Sequence, residues 1–175
     1  MAKTDAAGLL VVADAGPLIH LDELDALDVL SDYAQVHVPP AVWREVEHHR
    51  PGALRQPSVR WARAEVTGYS ARVNAVGALY TLHRGEQEAL TLCLQAAIGT
   101  LLTDDTAARL AANSLHLTTH GTLGLLLRAG RIGARTPAQV LALLQDIPKR
   151  TTLHVRPSLL AEVIRQAVEA WGLAH

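Results

Sequence analysis

The chain has 175 residues, 49% of them hydrophobic but only 3% aromatic and none of them Phe, so its core must be built from Leu, Val, Ile and Ala. A formal charge of −1 provides no overall basic face for gripping nucleic acid, and the single cysteine, Cys93, excludes an internal disulfide or a Cys-rich zinc cage. No run approaches the roughly 20 apolar residues of a membrane span, and Met1 to Gly8 lacks the zones of a signal peptide, so a cytoplasmic protein is expected.

Leu9 to Ala13 (LLVVA) is a wholly apolar run that reads as a buried parallel strand and ends at Asp14. Ala15-Gly16-Pro17 then turns the chain into a helix. Leu21, Leu24, Leu27 and Leu30 mark one helical face, with Asp22, Asp25 and Asp28 pointing away. Val36 to Val38 is a second strand, stopped by Pro39-Pro40, and Ala41 to His49 is the next helix. Arg50 to Ser70, broken by Pro51, Gly52, Pro57 and Gly68, is largely irregular, with a short strand expected at Glu65 to Thr67. Ala71 to Leu82 and Glu86 to Ala97 follow as helices, the second with a buried stripe of Ala89, Leu90, Cys93, Leu94 and Ala97. Thr100 to Thr103 is a third strand, ending in Asp104-Asp105. A helix at Thr106 to Ser114, a strand at His116 to Thr118 and helices at Gly121 to Ala129, Pro137 to Leu144 and Pro157 to Trp171 complete the chain. This alternation predicts one α/β domain with a mainly parallel sheet, whose ligands sit beyond the carboxyl ends of the strands.

The acids fall at that edge. Asp14 follows the first strand; Asp104 and Asp105 follow the third. Any one of them alone is explained as well by capping the next helix, but acids after two apolar strands of one parallel sheet can converge. Glu45 borders the apolar face set by Val42 and Val46, whereas Glu47 looks outward. Glu86 leads the buried stripe of its helix and also suits the helix dipole, while Glu88 belongs to a more exposed face. Clustered carboxylates raise one another's pKa unless a hard cation, Mg2+ or Mn2+, relieves the repulsion. Such ions activate water and stabilise the leaving oxygen of a phosphodiester.

These residues resemble a known family. Val11 to Ile19 (VVADAGPLI) is similar to the opening of PIN domains, and Val38 to Val46 (VPPAVWREV) to their second element, with Glu45 as its acid. Gly85 to Leu90 (GEQEAL) resembles the Gly-Glu-x-x-Ala helix start of one PIN branch. Leu101 to Asp105 (LLTDD) resembles the strand-end Thr-x-Asp motif, which favours Asp105 as ligand with Asp104 beside it. Gly121 to Gly130 resembles a PIN-like branch akin to the VapC toxins. The resemblance runs from about Leu9 to Gly133, with the helices at 137–171 beyond it. It implies a three-layer α/β/α domain and a metal-dependent ribonuclease, often the toxin partnered by an antitoxin protein, and often a homodimer. Asp14, Glu45, Glu86 and Asp105 would be catalytic and, with Asp104, hold the metal. Apart from the resemblance, the segment Arg50 to Arg72 carries five arginines against one acid, Glu65, and His120 lies at the edge where the acids converge, so Arg50, Arg55, Thr103 and His120 are the expected RNA contacts.

Two other chemistries fit poorly. A phosphatase of the haloacid dehalogenase type wants a second Asp two residues after the first, where this chain has Gly16, and no G-x-G-x-x-G follows the first strand. An alternative within the same fold is an RNA- or protein-binding module with little or no nuclease activity. His48 and His49 face different ways, and Trp43, Trp61 and Trp171 are too scattered to make a base-stacking platform.

Overall fold

In the computed structural model, which describes residues 8–173, five parallel strands form one sheet in the order β3-β2-β1-β4-β5. They are β1 (Leu10–Ala13), β2 (Gln35–Val38), β3 (Trp61–Arg63), β4 (Thr100–Leu102) and β5 (Thr118–His120). Most of the stretch searched for a leader, 1–7, lies outside the described residues. Successive side chains of β1 alternate between two cores: Val11 and Ala13 enter one, Val12 the other, and all are fully buried. The first core is closed by α1 (Ala15–Glu23), α2 (Pro40–His49), α6 (Thr122–Arg131), α7 (Pro137–Arg150) and α8 (Pro157–Ala170). The second is closed by α3 (Ala71–Leu79), α4 (Arg84–Gln95) and α5 (Thr106–Ser114). The result is a three-layer α/β/α domain. No described helix is long and apolar enough to cross a membrane.

Several elements differ from the sequence reading for identifiable reasons. The leucine stripe from 21 to 30 is not one helix. α1 ends at Glu23, Asp25 adopts a left-handed φ of 53°, and Leu27–Leu30 resumes as a 3-10 turn. All four leucines remain buried, because a spacing of three serves both geometries. The acids between them are tied down: Asp22 to Arg50, Asp25 to Arg150 and Asp28 to Arg135, each at 2.5 Å. The strand expected at Glu65–Thr67 lies earlier, where Trp61, Ala62 and Arg63 align with Val36, His37 and Val38. β5 begins at Thr118 rather than His116, whose φ of 60° makes it the turn after α5. α7 runs on to Arg150 with Pro148 in its last turn.

Candidate active site

β1 is the strand from which the sheet is built outward in both directions, through β2 on one side and β4 on the other. A crevice opens at such a switch point beyond the strand ends. Here Asp14 leaves β1 with its N–H bonded to Leu102 O of β4 at 2.9 Å. α2 and α4 pack together and bring Glu45 and Glu86 to the same edge. A cleft of about 440 Å3 is lined by Asp14, Glu45, Glu86, Asp104 and Asp105, together with His20 and His83.

Asp14 is the buried member, 7% exposed. It caps α1 by accepting the Ala15 N–H at 2.8 Å, and its other oxygen accepts the Thr103 hydroxyl at 3.1 Å. Burial pushes its carboxyl up to about 7; the two hydrogen bonds oppose this, while the charges of Glu86 and Glu45 add to it. Burial also raises Glu86, which is half-buried and accepts the His83 N–H at 2.7 Å, with Asp105 and Glu45 as smaller contributors. Glu45 is exposed and lies close to Gly85: a Cβ there would be 3.6 Å from a Glu45 oxygen and 4.0 Å from Asp14 Oδ1, both ordinary contact distances.

The two adjacent acids after β4 are engaged differently. Asp105 is exposed and caps α5, taking the Ala108 N–H at 2.7 Å on Oδ1. Asp104 has both oxygens committed: Oδ1 accepts the Thr122 N–H at 2.7 Å, and Oδ2 accepts the Thr122 hydroxyl at 2.6 Å and bonds His20 Nδ1 at 2.7 Å. Gly121 permits this approach, since a Cβ there would come within 2.7 Å of Asp104 Oδ1. Thr103 is fully buried, and its hydroxyl oxygen also accepts the Asp105 N–H at 3.2 Å.

The donor set suits a hard cation: all five candidates are carboxylates, and no cationic side chain is among the groups that move the buried one, Asp14. Among the described residues, no three His, Cys, Asp or Glu side chains are gathered tightly enough to hold one ion.

The arginines of the irregular segment do not line this cleft. Arg50 is paired with Asp22, and Arg55 lines a separate depression with Asp22 and Asp25. His120 lines an adjoining cleft, where burial and then Arg128, Arg131 and Arg109 lower its pKa. Glu88, expected on an exposed face, is 4% exposed. It accepts the Ala41 N–H at 2.7 Å and pairs with Arg84 at 2.9 Å. The clue was available: α2 starts at Pro40 with no side-chain cap of its own, so its first N–H groups need an acceptor from elsewhere. Sequence reasoning also missed His20, whose partner Asp104 stands 84 residues away.

Comparison with known proteins gives one finding. A family model, DUF3368, described as a PIN domain, matches residues 10–169, and the chain belongs to that family. No curated protein and no solved structure gives a match.

Proposed function

We propose that this PIN-domain protein is a divalent-metal-dependent endoribonuclease that hydrolyses RNA phosphodiesters. The observation that carries this reading is the convergence of Asp14, Glu45, Glu86 and Asp105 on one cleft, with the Asp14 carboxyl buried. An ionised carboxylate in that setting is costly unless a cation balances it. Asp14, Glu45, Glu86 and Asp105 would hold Mg2+ or Mn2+. Such an ion, when bound, supplies an acidified water and charge stabilisation for a phosphodiester.

The chain's own residues prepare the cleft. Thr103 and the Ala15 N–H fix both oxygens of Asp14, so its rotamer is set before any ligand arrives. Asp105 is held through one oxygen by α5, and Asp104 acts as an anchor that fastens His20 and the start of α6 to the β4 end. The role we attach to the activity is that of a toxin, assembled as a homodimer, whose antitoxin protein would cover the cleft. Its support is the resemblance of Gly121 to Gly130 to the VapC-like branch.

A second reading, a PIN-fold binding module that holds metal weakly, draws on the absence of a tightly gathered acid triad among the described residues. One experiment separates the two: cleavage of a mixed, labelled single-stranded RNA pool with Mg2+ or Mn2+, by wild type and Asp14→Asn. The nuclease reading expects metal-dependent cutting that the variant loses. No cutting by a folded wild type, with no Mn2+ bound on titration, overturns it in favour of the binding module.

A further inference from the structure

Beside the acidic cleft lies a second one, of about 500 Å3, and the two share Asp104, Leu153 and His154 along their boundary. Its character is opposite. Arg109 of α5, His120 of β5, His154 and Arg156 line it, and its one acid, Asp104, already has both oxygens hydrogen-bonded. Several other arginines are neutralised by acids, among them Arg50 by Asp22, Arg128 by Asp32, Arg135 by Asp28 and Arg150 by Asp25. Arg109 and Arg156 are exposed, and neither forms an ion pair among the described residues. The Arg109 guanidinium is instead steadied by Thr103 O, to which Nη2 donates at 3.3 Å. Leu123 and Leu159 add an apolar part to the same lining, and Leu159 is 46% exposed.

We infer that this basic cleft is the subsite for the nucleotides next to the scissile phosphate of a single-stranded RNA, with backbone phosphates on Arg109 and Arg156 and a base against Leu123 and Leu159. The inference rests on the nuclease reading for the word scissile, but the binding it describes does not depend on hydrolysis. The chemistry fits on three counts. Two unpaired guanidiniums are matched to phosphate oxygens. The apolar lining offers a surface to any base without hydrogen-bond readout. Continuity with the acidic cleft lets one strand occupy both. The chain's net charge of −1 makes such a local concentration of cations more telling, because phosphate neutralisation supplies most non-specific affinity for nucleic acid.

The test measures binding of a short fluorescein-labelled single-stranded RNA by anisotropy, with EDTA present so that nothing is cut. Full-length wild type is compared with Arg109→Gln/Arg156→Gln, with Arg109→Lys/Arg156→Lys, and with Arg55→Gln/Arg72→Gln, which removes equal charge from the irregular segment and α3. Thermal melts confirm that each is folded. The subsite predicts a roughly tenfold loss of affinity in the first variant, and a slope of log K against log salt shallower by about 1.4. The lysine pair should recover most of the binding. Equal affinity of wild type and Arg109→Gln/Arg156→Gln overturns the proposal, as does an equal or larger loss in Arg55→Gln/Arg72→Gln. The two readings fail separately: a protein that cuts no RNA but shows the predicted binding loss keeps the subsite without the nuclease, and an active nuclease with unchanged binding keeps the nuclease without the subsite.

Discussion

The hydroxyl of Thr103 donates to Asp14 Oδ2 at 3.1 Å while its oxygen accepts the Asp105 N–H at 3.2 Å, so one buried side chain ties the acid after β1 to the acid after β4. Thr103→Val keeps the shape and removes both bonds. It should destabilise the fold by about 1–2 kcal/mol, because a buried carboxylate and a backbone N–H lose their partner. The proposed RNA cleavage should fall more than stability explains, since Asp14 is no longer held in one rotamer. Thr103→Ser should retain both properties. Urea melts and cleavage rates on the three proteins decide the matter: if the Val and Ser variants behave alike, the hydroxyl does not organise the site.

Asp14 gives the fold a pH dependence with a definite sign. Its carboxyl sits at about 7 in the folded chain against an ordinary 3.8. Between those values the folded state keeps a proton that the unfolded state has released, so stability falls as pH rises through the window and the penalty is complete above it. Asp14→Asn removes the titration. The variant should match wild type near the lower end of the window and exceed it at higher pH by up to about 4 kcal/mol. Mn2+ should narrow that gap by stabilising wild type alone. Melting temperatures across the pH range, with and without Mn2+, provide the check; a gap independent of pH would mean that Asp14 is ionised throughout.

Two glycines near the site should respond oppositely to alanine. At Gly121 the added Cβ would meet Asp104 Oδ1 at 2.7 Å and Thr103 O at 3.3 Å, so the anchor of α6 must shift. Its φ of −102° suits any residue, and the effect is therefore purely steric. Gly121→Ala should cost about 1–3 kcal/mol and reduce cleavage. Gly124, within α6, has nothing within 4 Å of the same added atom. Gly124→Ala should stabilise by about 0.5–1 kcal/mol through helix propensity. Chemical denaturation of both variants tests the contrast, and a stabilised Gly121→Ala would mean that the close approach to Asp104 is easily relieved.

Glu88 should matter to α2 more than to its own helix. Its buried carboxylate takes the Ala41 N–H at 2.7 Å, and α2 carries Glu45 into the cleft. Glu88→Ala should lower stability by about 1–3 kcal/mol by leaving that N–H without its acceptor. Glu88→Gln keeps an acceptor oxygen and should lose less. Hydrogen exchange at the Ala41 amide reads the bond directly; unchanged protection in Glu88→Ala would show that α2 is capped otherwise.

What could be read from the sequence follows from how local each signal is. The run at Leu9–Ala13 announces β1, although the strand starts at Leu10 and both Leu9 and Leu10 are exposed, and Thr106–Ser114 announces α5 to the residue, because apolar β-branched runs and alanine-rich turns carry their own preference. The convergence of Asp14 with Asp104 and Asp105 was legible for a topological reason: strands of one parallel sheet end at one edge. Features that depend on a distant partner were not legible. β3 lies at Trp61 rather than Glu65 because Val36 N–H finds Arg60 O, and nothing in the segment's own composition records that register. The role of Glu88 is fixed by the bare start of α2, 47 residues earlier. Arg50, a natural candidate for RNA by composition, is neutralised by an acid of α1.

His37 provides a prediction away from the cleft. It lies on β2 in register with Val12 and Ala62, and both of its ring nitrogens are buried with no hydrogen-bond partner among the described residues. An imidazole has a donor and an acceptor to satisfy, and leaving them without a partner costs about 1–3 kcal/mol. His37→Val should therefore stabilise the protein by about 1–2 kcal/mol, since a β-branched residue also suits a strand. The gain should grow on acidification. Burial lowers the pKa of His37 below its ordinary 6.5, so as pH falls the unfolded state takes up the proton first and wild-type stability is lost, whereas the variant has no such group. Urea denaturation above and below pH 6.5 measures both effects. A variant less stable than wild type at either pH would mean that the ring's packing outweighs its unsatisfied nitrogens.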